Sequence, residues 1–145
     1  MESSKDIKDC HDYLQRKWPL VVDLYKRITA RDLFITSTYR SPEDQARLYA
    51  QGRTTPGEIV TQVDGVLRKS MHNYFPSLAF DVCVDTDPGV MKVIPSWKPE
   101  HYEPLGYICE QLGLVWGGNW KWRDMPHIEV PKTIKIDSLS ARTLS

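Results

Sequence analysis

The amino-acid sequence predicts an α+β fold: a small, mainly antiparallel sheet with helices packed on one side and a metal site on the sheet. Three observations point to it. Leu78-Ala-Phe-Asp-Val-Cys-Val84 alternates with the period of a strand, sending Phe80, Val82 and Val84 to one face and Asp81 with Cys83 to the other. Residues 5–29 and 100–112 carry apolar residues at helical spacing, and such stripes need another element to cover them. His72, Asp81, Asp124 and His127 lie in or near segments of this kind, so two imidazoles and two carboxylates can meet at one point if those segments are neighbours.

Taken in order, residues 5–29 place Ile7, Leu14, Trp18, Val21, Tyr25 and Ile28 at steps of three, four and seven, with Pro19 bending the helix or beginning a new turn. His11 falls on this helix as a surface or helix-end histidine. Leu33-Phe-Ile-Thr-Ser-Thr-Tyr39 is rich in β-branched and aromatic residues and reads as a strand, with Arg40 at its end. Ser41-Pro-Glu-Asp supplies an N-cap, a proline at the first helical position and first-turn acids, so a helix is expected from Pro42 to about Gln51, stopping at Gly52. Arg40 is thereby placed at a strand-to-helix corner, where its fork of donors can meet a developing oxyanion. A lone arginine would more often be a solvated surface residue.

Residues 53–70 hold turn signals around Ile59-Val60 and read as an excursion over the site with a possible small hairpin. After the strand at 78–84, residues 85–99 contain three prolines and no period, so they read as loop. His101, Leu105, Ile108 and Leu112 mark a helix over 100–112 that ends at Gly113, with His101 at its surface or end. Leu114-Val-Trp116 starts a strand, and Gly117-Gly118 lets the backbone turn or approach something closely. Trp120 and Trp122 either line a groove or belong to the core. In His127-Ile-Glu-Val130, alternation sends Ile128 and Val130 inward and sets His127 beside Glu129. A strand is possible at 133–136.

The length of 145 residues suits one domain spanning 1–145, with fraying expected at 1–4 and about 137–145. Nineteen basic residues balance nineteen acidic ones, so no overall field recruits nucleic acid or an anionic membrane. Cys10, Cys83 and Cys109 are odd in number and in no CxxC pattern, which argues against disulfides and for a reducing compartment. The N-terminus has no apolar core of a signal peptide and no stretch reaches membrane-span length, so the chain is expected to be cytoplasmic when made, and to act as a monomer.

Zinc accepts imidazole nitrogen and carboxylate oxygen, so His72, Asp81 and His127 would fill three positions and water the fourth. Asp124 is then available as the base that takes a proton from that water, with Pro126 biasing Met125 toward extended backbone between Asp124 and His127. Glu129 competes for the same base role or supports a ligand from behind.

Thr38-Tyr-Arg-Ser-Pro-Glu-Asp-Gln45, Ser70-x-His72, Ala79-x-Asp81, Trp116-Gly-Gly-Asn-Trp120 and Asp124-x-x-His127-x-Glu129 together resemble the zinc D-alanyl-D-alanine and L-alanyl-D-glutamate peptidases, and in layout phage endolysins of the peptidoglycan endopeptidase kind. The resemblance implies metal ligation by His72, Asp81 and His127, a base role for Asp124, transition-state charge from Arg40 and a substrate contact by Ser70. It also implies cleavage of a stem-peptide bond in peptidoglycan, L-alanyl-D-glutamate first, during host-cell lysis. The alternatives are a D-alanyl-D-alanine carboxypeptidase or dipeptidase, and a non-catalytic zinc-containing wall-binding domain. One departure stands out: Phe75-Pro76-Ser77 replaces the family's glycine turn, and His72 and Asp81 are two residues further apart than usual. The wall of the cleft is expected to differ there.

Overall fold

The computed structural model describes residues 1–134. A 3-10 turn, Ile7–Asp9, precedes helix α1, Asp12–Thr29. The helix expected from residue 5 is therefore divided, because His11 takes the cap position and its ring nitrogen accepts the Tyr13 N–H. α1 runs on through Pro19, which interrupts a single helical hydrogen bond. Leu14, Val21 and Tyr25 of the predicted stripe are buried, whereas Ile28 at its end remains half exposed.

Strand β1, Asp32–Ser37, stops short of Tyr39 because its pairing slips at a bulge between Ile35 and Ser37. Thr38 and Tyr39 pair with the N-terminal segment instead: Thr38 donates its N–H to the Ser4 carbonyl, and Ser4 returns one to Tyr39. Ser4 is thus tied down where fraying is expected. Helix α2, Pro42–Ala50, begins as predicted, with the Ser41 hydroxyl accepting the Asp44 N–H. The excursion that follows contains no hairpin among the described residues, only a bridge between Gln51 and Thr55.

Strand β2, Ala79–Asp85, is central. β1 runs antiparallel along one edge. The other edge pairs with β5, His127–Glu129, at its start and with the two-residue β3, Pro95–Ser96, at its end. β4, Val115–Trp116, closes the far side of β5. β3 lies in the segment expected to be loop. The single helix expected over 100–112 is split into α3, Pro99–Tyr102, and α4, Pro104–Leu112, because Pro104 has no N–H to continue a helical ladder. Gly113 ends α4 in the left-handed conformation. At the chain's far end, residues 133–134 are helical rather than extended, and 135–136 lie outside the described residues, as does the fraying expected at 137–145.

α1 and α4 cover one face of the sheet, meeting Phe80, Val82, Val84 and Ile128 in one core with Trp116 and Val130. Trp18 stacks edge-on against Phe80, ring centroids 5.3 Å apart. The alternation of β2 and β5 leaves Asp81 and His127 on the opposite face. All three cysteines are buried and unpaired, and burial, aided at Cys10 by Asp9, pushes the Cys10 and Cys109 thiols up to about 12. No helix among the described residues is long and apolar enough to cross a membrane.

Candidate active site

Register brings the first two site residues together: Asp81 on β2 is the direct cross-strand partner of His127 on β5. The third arrives on a short 3-10 turn, Met71–Asn73, whose conformation is set by Ser70. The Ser70 hydroxyl accepts the His72 N–H while Asn73 reaches back to the Ser70 N–H, a reciprocal cap. His72 is buried, with its ring centroid 5.0 Å from that of His127.

The two imidazoles are prepared in the same way. His72 donates Nδ1–H to the Thr38 carbonyl at 2.6 Å and turns Nε2 to Asp81 Oδ1 at 3.1 Å. His127 sets Nε2 against Glu129 Oε1 at 2.9 Å and turns Nδ1 to the same Asp81 oxygen at 3.3 Å. The Thr38 carbonyl and the Glu129 carboxylate both accept hydrogen, so with a cation at the centre each outer nitrogen would carry the hydrogen and each inner nitrogen would offer a lone pair. Burial holds His72 below its usual pKa despite the pull of Asp81, which keeps the ring neutral. Burial opposes ionisation of Asp81, but in the metal-free cluster positive charge and hydrogen bonds from the inner nitrogens of His72 and His127 outweigh it and hold that carboxyl well below the usual range, a pull that a bound cation would supply in their place. Two imidazole lone pairs facing one anionic oxygen repel unless a cation lies among them. The ligand atoms of His72, Asp81 and His127 all lie within 4.8 Å of one another, so this donor set fits a zinc ion.

Arg40 donates to the second oxygen of Asp81 at 3.2 Å, and also to Ser37 and Gln45. It therefore steadies a candidate ligand while its charge lies on the cleft wall. Asp124 stands with Oδ2 3.9 Å from His127 Nδ1. The extended backbone expected between them is replaced by a turn, closed where the His127 N–H donates to the Asp124 carbonyl, and this turn folds the carboxylate back toward the ring. Burial pushes the Asp124 carboxyl up to about 6, against the opposing influence of His127 and Arg40. A carboxylate tuned to that range can both accept and return a proton near neutrality. Gly117 makes the approach possible: a Cβ there would lie 2.4 Å from the Asp124 carbonyl oxygen and 3.0 Å from His127 Cβ.

These groups floor a cleft of about 640 Å³. Trp120 and Trp122 line it, half exposed, with the Trp120 ring centroid 5.0 Å from that of His127, while Trp116 belongs to the core. Ser70, Met71 and His72 contribute to the lining. The lengthened stretch beyond them is directed elsewhere: Phe75 packs edge-on to Tyr39, and Ser77 is bound to Asp9 and His11 through its backbone and to the Thr38 carbonyl through its hydroxyl. Thr38 takes part through a main-chain oxygen, so no side-chain signal marks it in the sequence.

Residues 64–130 match the family model described as D-alanyl-D-alanine carboxypeptidase. The chain is 36% identical over 109 residues to the peptidoglycan L-alanyl-D-glutamate endopeptidase CwlK of Bacillus subtilis (strain 168), an alignment covering 68% of this chain and 60% of that protein. It therefore spans about 60% of that relative's length. In fold it resembles the Serratia marcescens L-Ala D-Glu endopeptidase ChiX, with a TM-score of 0.59 and 19% identity over 89% of this chain and 86% of that one. In motif order and sequence the chain is similar to D-alanyl-D-alanine carboxypeptidases and to an L-alanyl-D-glutamate endopeptidase, and in fold to a second such endopeptidase.

Proposed function

We propose that this chain is a zinc peptidase that hydrolyses the L-alanyl-D-glutamate bond of peptidoglycan stem peptides, acting as a monomer in the manner of a phage endolysin. The observation that carries the reading is the pair of neutral-prepared imidazoles converging with Asp81 on the floor of an open cleft. A bound zinc supplies Lewis-acid polarisation of the scissile carbonyl and acidifies a water. Asp124 takes the proton of the attacking water and returns it to the leaving amine. Arg40 offers positive charge to the tetrahedral oxyanion. The Ser70 hydroxyl, an acceptor toward His72, keeps its hydrogen to donate to the bound peptide. Trp120 and Trp122 give the peptide a flat apolar wall.

Digestion of purified wall with analysis of new termini tests the proposal. New L-alanine C-termini, abolished by chelator and restored by zinc, are expected. Release of free D-alanine would identify a D-alanyl-D-alanine carboxypeptidase instead, and wall binding without new termini would identify a non-catalytic domain.

Arg40→Lys separates the residue's two contributions. An ammonium is a point charge that cannot span Asp81, Ser37 and Gln45 as the planar fork does. Zinc affinity should fall by roughly tenfold through the slackened Asp81. At saturating zinc, turnover should remain depressed by about 3 kcal/mol of transition-state stabilisation, with a smaller change in KM. Normal turnover at saturating zinc would leave Arg40 only its support of Asp81.

A further inference from the structure

Gln45 is the one fully buried residue of helix α2, whose other residues are half-buried or exposed. A buried primary amide is costly unless its donors and acceptor are used, and here they are. Its oxygen accepts from Arg40 Nη1 at 3.0 Å. Its nitrogen donates to the Val63 carbonyl at 2.8 Å and to the Thr61 hydroxyl at 3.2 Å. Arg40 can only donate and a carbonyl can only accept, so the amide has one possible orientation. On one side it holds the guanidinium that holds Asp81; on the other it holds the loop whose Thr61, Gln62 and Val63 line the cleft.

That loop has no strand or helix of its own. Asp64 organises the next turn by accepting the N–H groups of Val66, Leu67 and Arg68, and Gly65 closes it through Arg68. These bonds are internal to the loop and do not place it against the body. Gly65 passes directly over Gln45: a Cβ there would lie 2.9 Å from both Cβ and Cγ of Gln45. The loop therefore rests on the side chain to which it is also hydrogen-bonded.

We propose that Gln45 is a positioning residue that ties the cleft-wall loop at residues 61–65 to the Arg40–Asp81 pair, so that one amide sets both the width of the substrate cleft and the support of a candidate metal ligand. The consequence for substrate rests on the peptidase reading above, whereas the tether itself can be measured without it.

The test uses the zinc-loaded protein. Gln45→Glu keeps an acceptor for Arg40 and loses the donor to the Val63 carbonyl. Gln45→Met keeps the volume and loses both. Thr61→Val removes from the loop side the hydroxyl that Gln45 reaches and, with it, the acceptor of the Val63 N–H, so its readout is taken at the amides of 61, 62, 64 and 65. Hydrogen exchange of the amides at 61–65 should quicken by about tenfold in Gln45→Glu, the effect of losing one buried hydrogen bond, while the amides of β2 stay at wild-type rates. Thr61→Val should shift exchange in the same direction by less. KM for a stem peptide should rise in Gln45→Glu by more than kcat falls. Gln45→Met should in addition weaken zinc binding in chelator competition, with Gln45→Glu retaining it. Wild-type exchange at 61, 62, 64 and 65 in both Gln45→Glu and Thr61→Val would overturn the tether, and Thr61→Val decides alone if the Gln45 variants do not fold. A wild-type protein that cuts no stem peptide would count against the peptidase reading, with the exchange result still deciding this one.

Discussion

His72→Ala is expected to yield a protein that retains no zinc after dialysis and shows no detectable hydrolysis of wall peptide. The side chain is buried between the Thr38 carbonyl and Asp81, so its removal takes away one of three converging donors. His127→Ala should behave the same way, because its ring fills the corresponding position from β5. Binding free energy in such a site is also folding free energy, so zinc should raise the melting temperature of the wild type and leave both variants unmoved. Elemental analysis and a thermal melt with and without zinc check this. Full zinc occupancy in both variants would remove the assignment of the metal to this cluster.

Asp124→Ala should keep the metal and lose the chemistry. The carboxylate stands 3.9 Å from His127 Nδ1, farther than Asp81 at 3.3 Å, and it lies at the cleft, where loss of a general base lowers turnover by about 100-fold to 10,000-fold. Glu129→Ala should show the opposite balance. Glu129 is buried behind His127 and bonds its outer nitrogen, so its loss should weaken zinc binding by about 10-fold to 100-fold, with much of the turnover recovered at high zinc. Titrating zinc into each variant while following hydrolysis separates the two. If Glu129→Ala holds zinc and is inert while Asp124→Ala remains active, their roles are exchanged.

The sequence by itself determined the parts that depend on local chemistry. Alternation in 78–84 placed Asp81 opposite the apolar face of β2, and the Ser41-Pro42 cap placed the start of α2. The candidate ligands His72, Asp81 and His127 were legible because the chain has only four histidines and the motif pattern set two of them with Asp81. Local rules also predicted the stop at Gly113 and, at Gly117-Gly118, a turn or a close backbone approach, of which Gly117 makes the approach. They were misled where two local preferences compete. The apolar spacing over 100–112 concealed the break at Pro104, and Pro126 suggested extended chain where His127 closes a turn onto Asp124.

Only the tertiary structure decided what depends on residues distant in sequence. The cross-strand register of Asp81 with His127, the anchoring of His72 by a main-chain carbonyl at Thr38 and the support of Asp81 by Arg40 are all partnerships across loops. The same holds for Gln45, whose buried amide reads as an ordinary polar residue on a polar helix until the loop at 61–65 is laid over it. The physical reason is that a residue's type limits which hydrogen bonds it can make, whereas its burial and its partners are set by strand pairing and chain crossing that no local pattern records.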